Sequence, residues 1–271
     1  MNPRLAQILT ETGDVAVAVS GGIDSLTLAM AAVQTAQRSG ARVEIMHASS
    51  AAVPPEATAR VERLAAEHGW SLRVIEAGEF STREYVENPA NRCLFCKNQL
   101  YSAMERLTDA QLVSGANLDD LGDYRPGLDA ARAHQVRHPY IEAGIGKAAV
   151  RQLARELGLG TLAELPASPC LSSRIETGIR IEPMALRFVH EVERLVAGIL
   201  QPSTVRCRVR ASGVVVELDE ATLMRVDEHA RQALTAQILA RTAALSPGIE
   251  APAVSFAAYR MGSAFVRGTG P

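Results

Sequence analysis

Three groups of residues in this 271-residue chain have the types and spacing for chemistry. The first is Ser20-Gly21-Gly22-Ile23-Asp24-Ser25, placed directly after the apolar run Val15 to Val19 and directly before a helical pattern that starts near Leu26. A buried strand that runs into a glycine turn at a helix start aims several backbone N–H groups at one point. The positive end of the helix dipole reinforces them, so the turn is a ready anion site. Gly21 and Gly22 let a phosphate approach the chain closely, Ser20 and Ser25 add hydroxyls, and Asp24 suits a helix cap or a Mg²⁺ ligand. No Lys follows, which excludes the Walker A pattern. The second group is cysteine: Cys93 and Cys96 form C-x-x-C, and Cys170 stands in Ala167-Ser168-Pro169-Cys170-Leu171-Ser172-Ser173-Arg174. The third is the alternation Val205-Arg206-Cys207-Arg208-Val209-Arg210, which puts three arginines on one strand face.

Each group admits more than one reading, and for Ser20 to Ser25 the other is an ordinary glycine turn with a Ser or Asp cap. The C-x-x-C pair fits two half-buried thiols at a helix start, a redox pair, or metal ligation. A redox role lacks its thioredoxin-like context, and zinc lacks a fourth ligand at a convincing spacing. Three thiolates, Cys93, Cys96 and Cys170, suit an iron–sulfur cluster with one iron left open. Cys207 shares its strand face with Val205 and Val209 and reads as a small core residue. The arginine face repels itself unless an anion or acids lie opposite, and a phosphate is the preferred partner for Arg208 and Arg210.

These groups need elements to position them. Strand-like runs at Asp14 to Val19, Arg42 to His47, Ser71 to Ile75 and Gln111 to Ser114 alternate with helical patterns near 24–38, 55–68 and 93–108. Such alternation predicts an α/β domain with a parallel sheet and ligands at the carboxyl ends of its strands. Ser20, His47 and Gly115 fall at those ends, and so does the polar loop Gly115 to Gly127, where Asn117, Asp119 and Asp120 stand. In that loop Asp120 could hold Mg²⁺ beside a nucleotide. His47 could touch the nucleotide or be a satisfied structural residue, and His134 and His138 are assigned nothing. Another helix is expected at Lys147 to Leu157. Past Arg174 the pattern becomes αββαβ: a helix at Pro183 to Leu200, strands at Thr204 to Arg210 and Val214 to Leu218, a helix from Glu220 to Ala244, and a strand at Val254 to Ala258. The expected division is residues 1–175 for the α/β domain and 176–271 for a smaller α+β domain, with residues 267–271 frayed.

Composition sets outer limits. At 47% hydrophobic and 21% charged the chain is globular. A net charge of −2 provides no global field for nucleic acid. The chain shows no secretory signal pattern and no long apolar span, so a cytoplasmic protein is expected, in which four cysteines point to metal binding or catalysis rather than disulfides.

Taken together, these segments resemble the PP-loop ATP pyrophosphatase superfamily and, within it, the LarE family of sulfur transferases. The resemblance rests on Ser20 to Ser25, Asn91 to Lys97, Gly115 to Gly127, Ser168 to Arg174, Arg208 to Arg210 and Tyr259 to Ser263, which span nearly the whole chain. It implies a Rossmann-like sheet in which Ser20, Gly21, Gly22, Asp24, Ser25, His47, Gly115 and Asn117 bind ATP with Mg²⁺. It also implies that a carboxylate on a pyridinium mononucleotide is adenylylated, with release of pyrophosphate, and that sulfur then displaces AMP. In family members with only the cysteine matching Cys170, that cysteine gives up its own sulfur. Members with all three look like cluster enzymes, so the resemblance implies a [4Fe-4S] cluster on Cys93, Cys96 and Cys170 that receives sulfide from a donor. Arg174, Arg208 and Arg210 would grip the substrate phosphate, Glu191 or Glu193 could help hold a metal, and a homo-oligomer, a hexamer, is expected. The sequence departs from the family at Leu26, where a second Ser is usual, and at Pro169, where a small residue is usual. The alternatives are a PP-loop tRNA-thiolating enzyme, which usually adds a zinc finger or basic surface absent here, and an ATP-binding protein without sulfur transfer.

Overall fold

The computed structural model describes residues 1–122, 125–166, 168–245 and 252–266. The tail 267–271, Asp123 and Tyr124 of the 115–127 loop, and Ala167 lie outside the described residues. In chain order the elements are α1 (Pro3–Thr12), β1 (Val15–Ala18), α2 (Ile23–Ser39), β2 (Val43–Ala48), α3 (Pro55–His68), β3 (Ser71–Ile75), α4 (Arg83–Val86), α5 (Arg92–Glu105), β4 (Gln111–Ser114), α6 (Gly127–Ala133), α7 (Pro139–Glu142) and α8 (Lys147–Glu156). They continue with α9 (Pro183–Leu200), β5 (Val205–Arg210), β6 (Gly213–Leu218), α10 (Glu220–Arg225), α11 (Glu228–Leu245) and β7 (Val254–Ala258). Short 3₁₀ turns at Leu118–Gly122 and Leu171–Arg174 matter below.

The chain forms two compact units. One comprises Met1–Thr82 with Asn91–Ser168, the other Arg83–Ala90 with Pro169–Pro271. The first is a four-stranded parallel sheet in the order β3-β2-β1-β4, the parallel sheet that the strand–helix alternation predicts and the Rossmann-like arrangement that the resemblance implies. All four residues of β1 are buried, because helices cover both faces of the strand. The alternation of its side chains separates two cores: Val15 and Val17 pack with residues of α1, α2 and α8, whereas Ala16 and Ala18 pack with Tyr101 and Met104 of α5 and Ala130 of α6. Helix α1 goes beyond the expected elements and has its own start signal, since Asn2 accepts a hydrogen bond from the Leu5 N–H at 3.1 Å and Pro3 occupies the first turn.

The second unit holds a three-stranded sheet, β5-β6-β7, in which β5 and β6 are antiparallel and β6 and β7 parallel. The helix expected as one piece from Glu220 is two. The chain breaks after α10, and Asp227 starts α11 by accepting a hydrogen bond from the Ala230 N–H at 2.8 Å. No helix among the described residues is long and apolar enough to cross a membrane.

Candidate functional site

In the first unit β1 lies between β2, which follows it in the chain, and β4, which comes later, so the topological switch point falls between β1 and β4. The Ser20–Ser25 turn leaves β1 at that point. Helix α2 begins beyond Gly22 without a side-chain cap, which leaves its first-turn N–H groups directed outward. The two serines shape the turn: the Ser20 N–H donates to Ser25 Oγ at 3.1 Å, Ser25 Oγ donates to the Gly22 carbonyl at 3.0 Å, and the two hydroxyl oxygens are 3.3 Å apart. Gly21 has φ +79, and a Cβ there would stand 2.7 Å from the Ala57 carbonyl oxygen. A Cβ on Gly115, the residue after β4, would stand 2.9 Å from the Ser25 nitrogen. Glycine at both places is therefore a condition of the turn's shape. Arg60 closes the turn from α3 by donating to the Gly21 carbonyl at 2.6 Å.

Asp24 is the electrostatic focus of this turn. Burial raises its carboxyl above the ordinary carboxylate value, and Asp120 raises it further, while Lys147, Arg151 and Arg125 act in the opposite direction. Its Oδ1 is buried and makes no hydrogen bond among the described residues. The wholly buried Tyr140 fixes the backbone here by donating to the Asp24 carbonyl at 3.0 Å. Lys147, which sequence reasoning missed, enters through the first turn of α8. The signal was weak, because nothing in the local sequence ties position 147 to a loop about thirty residues earlier. That tie is Asp119, whose Oδ2 accepts the Lys147 N–H at 2.6 Å and so anchors the start of α8 to the 115–127 loop.

The other expected nucleotide residues have structural engagements. Asn117 is buried; its N–H donates to Asp120 Oδ2 at 3.1 Å and its Oδ1 accepts the Asp119 N–H at 3.1 Å. His47 is fully buried, with Nδ1 2.8 Å from the Val19 carbonyl and Nε2 2.9 Å from Thr58 Oγ1. Both ring nitrogens are thus used in tying β2 to the end of β1 and to α3, and desolvation lowers its proton affinity.

The expected metals are corrected. Among the described residues no three His, Cys, Asp or Glu side chains come together to hold a metal ion. For Mg²⁺, Asp24 and Asp120 have no third acid beside them among the described residues, and Asp120 is taken by Arg125 at 2.8 Å and by the Asn117 N–H. For the [4Fe-4S] cluster, Cys93 and Cys96 lie near the start of α5, and Cys170 precedes the 3₁₀ turn Leu171–Arg174. A C-x-x-C pair supplies two ligands of the three required, and among the described residues neither it nor Cys170 belongs to a group of three metal-binding side chains. Glu193 is likewise committed: its carboxylate takes a two-point pair from Arg174 at 2.9 and 3.0 Å and also the Cys207 N–H at 2.9 Å.

In the second unit Cys170 is exposed, and Cys207 is wholly buried with its thiol pushed well above the ordinary range by desolvation. The arginines expected to grip a phosphate have protein partners. Arg174 is 3% exposed; besides Glu193 it donates to the Pro169 carbonyl at 2.6 Å, the Cys170 carbonyl at 3.1 Å and Ser173 Oγ at 3.1 Å. Arg208, also buried, donates to Glu217 at 2.9 Å and to the Ser173 and Arg260 carbonyls. Arg210 donates to Glu217, Glu176 and the Ser263 carbonyl. Glu217 is 2% exposed and accepts from both arginines and from Ser263 Oγ at 2.6 Å. Acids therefore lie opposite the arginine strand.

No family model matches the sequence. Over 194 residues, 70% of this chain and 71% of the relative, it is 34% identical to the uncharacterized protein slr1717 of Synechocystis sp.. The chain belongs to that protein's family. It is also 25% identical over 210 residues, 76% of this chain and 78% of the relative, to the uncharacterized protein MJ0830 of Methanocaldococcus jannaschii. A third relative is the pyridinium-3,5-bisthiocarboxylic acid mononucleotide synthase of Lactiplantibacillus plantarum, 29% identical over 223 residues, 81% of this chain and 79% of the relative. With the parallel sheet and its glycine turn, this distant likeness places the family among PP-loop ATPase-like enzymes.

Proposed function

We propose that this family member is an ATP-dependent sulfur transferase that forms AMP and pyrophosphate. The observation that carries the reading is the Ser20–Ser25 turn at the switch point, with its uncapped helix start and the close packing required at Gly21 and Gly115. A nest of N–H groups backed by a helix dipole stabilises the charge that develops as a phosphate bond breaks. Lys147 adds a cation, and Ser20 adds a hydroxyl. Cleavage between the α- and β-phosphates fits an enzyme that adenylylates a carboxylate: a substrate carboxylate oxygen attacks the α-phosphorus, the bond to the β-phosphate bridging oxygen breaks, and pyrophosphate leaves.

The acceptor and the sulfur step draw on the relative named for a pyridinium-3,5-bisthiocarboxylic acid mononucleotide. The matching acceptor is a pyridinium dicarboxylate mononucleotide, a small molecule that carries both the carboxylate and a phosphate. In the second step Cys170 Sγ, after giving its proton to solvent, bonds to the acyl carbon, and the carbon–oxygen bond to AMP breaks. Loss of the Cys170 α-proton to a base then expels the thiocarboxylate by breaking the Cβ–Sγ bond, which leaves dehydroalanine at position 170. The exposure of Cys170 supports this role.

The test uses the purified full chain with ATP and the pyridinium dicarboxylate mononucleotide. Pyrophosphate and AMP in equal amounts are expected, together with a loss of the mass of hydrogen sulfide at residue 170 after one turnover. Cys170→Ala is expected to release pyrophosphate and to form no thiocarboxylate. ATP cleaved to ADP and phosphate, or thiocarboxylate formed by Cys170→Ala, would refute the corresponding half of the reading.

A further inference from the structure

Cys170 stands on a turn that is held more firmly than an exposed cysteine needs for itself. Its carbonyl accepts the Ser173 N–H at 3.0 Å and an Arg174 guanidinium N–H at 3.1 Å, while its thiol makes no hydrogen bond among the described residues. The four residues after it, Leu171 to Arg174, form a buried 3₁₀ turn. Arg174 and Glu193 grip this turn from one direction.

A second grip comes from Arg83–Ala90, a stretch that precedes Cys170 by some eighty residues and belongs to the same compact unit. Tyr85, 2% exposed, places its hydroxyl 2.6 Å from Oγ of the wholly buried Ser172. Asn88 follows with φ +56, and its Nδ2 donates to the carbonyls of Ile175 at 3.4 Å, Glu176 at 2.8 Å and Ile179 at 2.9 Å. Backbone bonds complete the attachment, from the Gly178 N–H to the Asn88 carbonyl at 2.9 Å and from the Ile181 N–H to the Val86 carbonyl at 2.8 Å. Asn88 and the backbone bonds hold the chain after the turn, whereas the tyrosine hydroxyl reaches into the turn itself, two residues from Cys170.

We infer that Tyr85, through its hydrogen bond to Ser172, is a positioning residue that sets where the Cys170 thiol is presented. The inference rests on the reading of Cys170 as the sulfur that meets the acyl-adenylate. It goes beyond that reading by naming a residue outside every motif and by separating the two half-reactions: adenylylation draws on the Ser20–Ser25 turn in the other unit, so a fault in presenting the thiol slows only the transfer. Small errors in placing a nucleophile cost large factors in rate, on the order of a hundredfold for a displacement of about 1 Å. Loss of one hydrogen bond in an otherwise attached turn is expected to cost less, about tenfold.

The experiment measures pyrophosphate release and thiocarboxylate formation separately in the full chain, for Tyr85→Phe, Ser172→Ala and the double variant, with thermal melting of each. Tyr85→Phe is expected to release pyrophosphate within about twofold of the parent and to transfer sulfur about tenfold more slowly. Ser172→Ala removes the same hydrogen bond from its other end, and the double variant is expected to be no slower than either single one, as for two groups that act as one unit. Should Tyr85→Phe fail to fold, Ser172→Ala carries the test. Equal slowing of both half-reactions, or transfer at the parent rate, overturns the positioning role. Cys170→Ala, run alongside, separates the two failures: if it still transfers sulfur the reading of Cys170 falls and this inference with it, and if it blocks transfer while Tyr85→Phe is silent only the inference falls.

Discussion

The Ser20–Ser25 turn and the Arg208–Arg210 strand both look in sequence like places for an anion, yet they end in opposite conditions. The turn keeps an uncapped helix start and a buried Asp24 oxygen with no hydrogen-bond partner among the described residues. The arginine strand is closed: Arg208 and Arg210 share Glu217, Arg210 also reaches Glu176, and backbone carbonyls take further donors. A charged residue type thus marks where charge is, not where it is free to act. Polar groups left unsatisfied in a folded protein are the better guide to a ligand site, because burying them without a partner is unfavourable unless something else uses them.

That contrast can be tested from its strongest expected effect to its weakest. Glu217→Ala leaves two arginines, one of them buried, without their shared carboxylate and is expected to destabilise the second unit by about 3–5 kcal/mol in denaturant unfolding. A stable variant with altered affinity for the phosphate-bearing acceptor would instead make the strand a ligand site. Gly115→Ala drives a methyl group against the backbone at Ser25. It is expected to destabilise by about 1–3 kcal/mol and to weaken ATP binding in titration calorimetry, whereas unchanged affinity would show that the turn's shape is not used.

Asp24→Asn should separate stability from function. The folded carboxyl is raised above 3.8, so the protonated form is the favoured one: that contribution is complete below 3.8 and disappears as pH rises through the folded value. At neutral pH the ionised group therefore opposes folding, and the variant is expected to melt about 2 °C higher while binding ATP less well. A lower melting temperature would mean that neighbouring cations already satisfy the charge. The smallest effect is expected at Asp219, which caps α10 through the Thr222 N–H at 3.0 Å and whose carboxyl is lowered to about 2 mainly by that bond. Its contribution is present above 3.8 and is lost as pH falls toward 2. Asp219→Ala is expected to flatten that part of the acid-stability curve, seen in circular dichroism.

The parallel sheet was legible because β1 is short, wholly apolar and followed after two residues by a glycine pair, and because each later strand repeats the strand–helix rhythm. The cores on its two faces follow from the same alternation. Long-range partners were not legible. The αββαβ pattern places Arg208 and Arg210 on one face, but it does not say that Glu217 on β6 sits across from them. The double aspartate at Asp119 and Asp120 looks like a metal site, while the fold uses one carboxylate to anchor α8 and the other to hold Asn117 and Arg125. Cysteine spacing was similarly ambiguous, since C-x-x-C fixes two thiols on one helical turn and says nothing about a third. Nothing in the composition of Arg83–Ala90 marks it as belonging with residues past 169.

That last stretch has a consequence for heredity. Because the second unit borrows eight residues from the middle of the first unit's sequence, no single cut in the gene separates the two. A fragment ending at residue 168 would carry Tyr85 and Asn88 away from Ser172 and Ile175, and a fragment starting at 169 would lose both of those partners. Recombination can shuffle domains that lie one after the other, but a chain interlaced in this way is inherited whole, and changes in either half must be tolerated by the other.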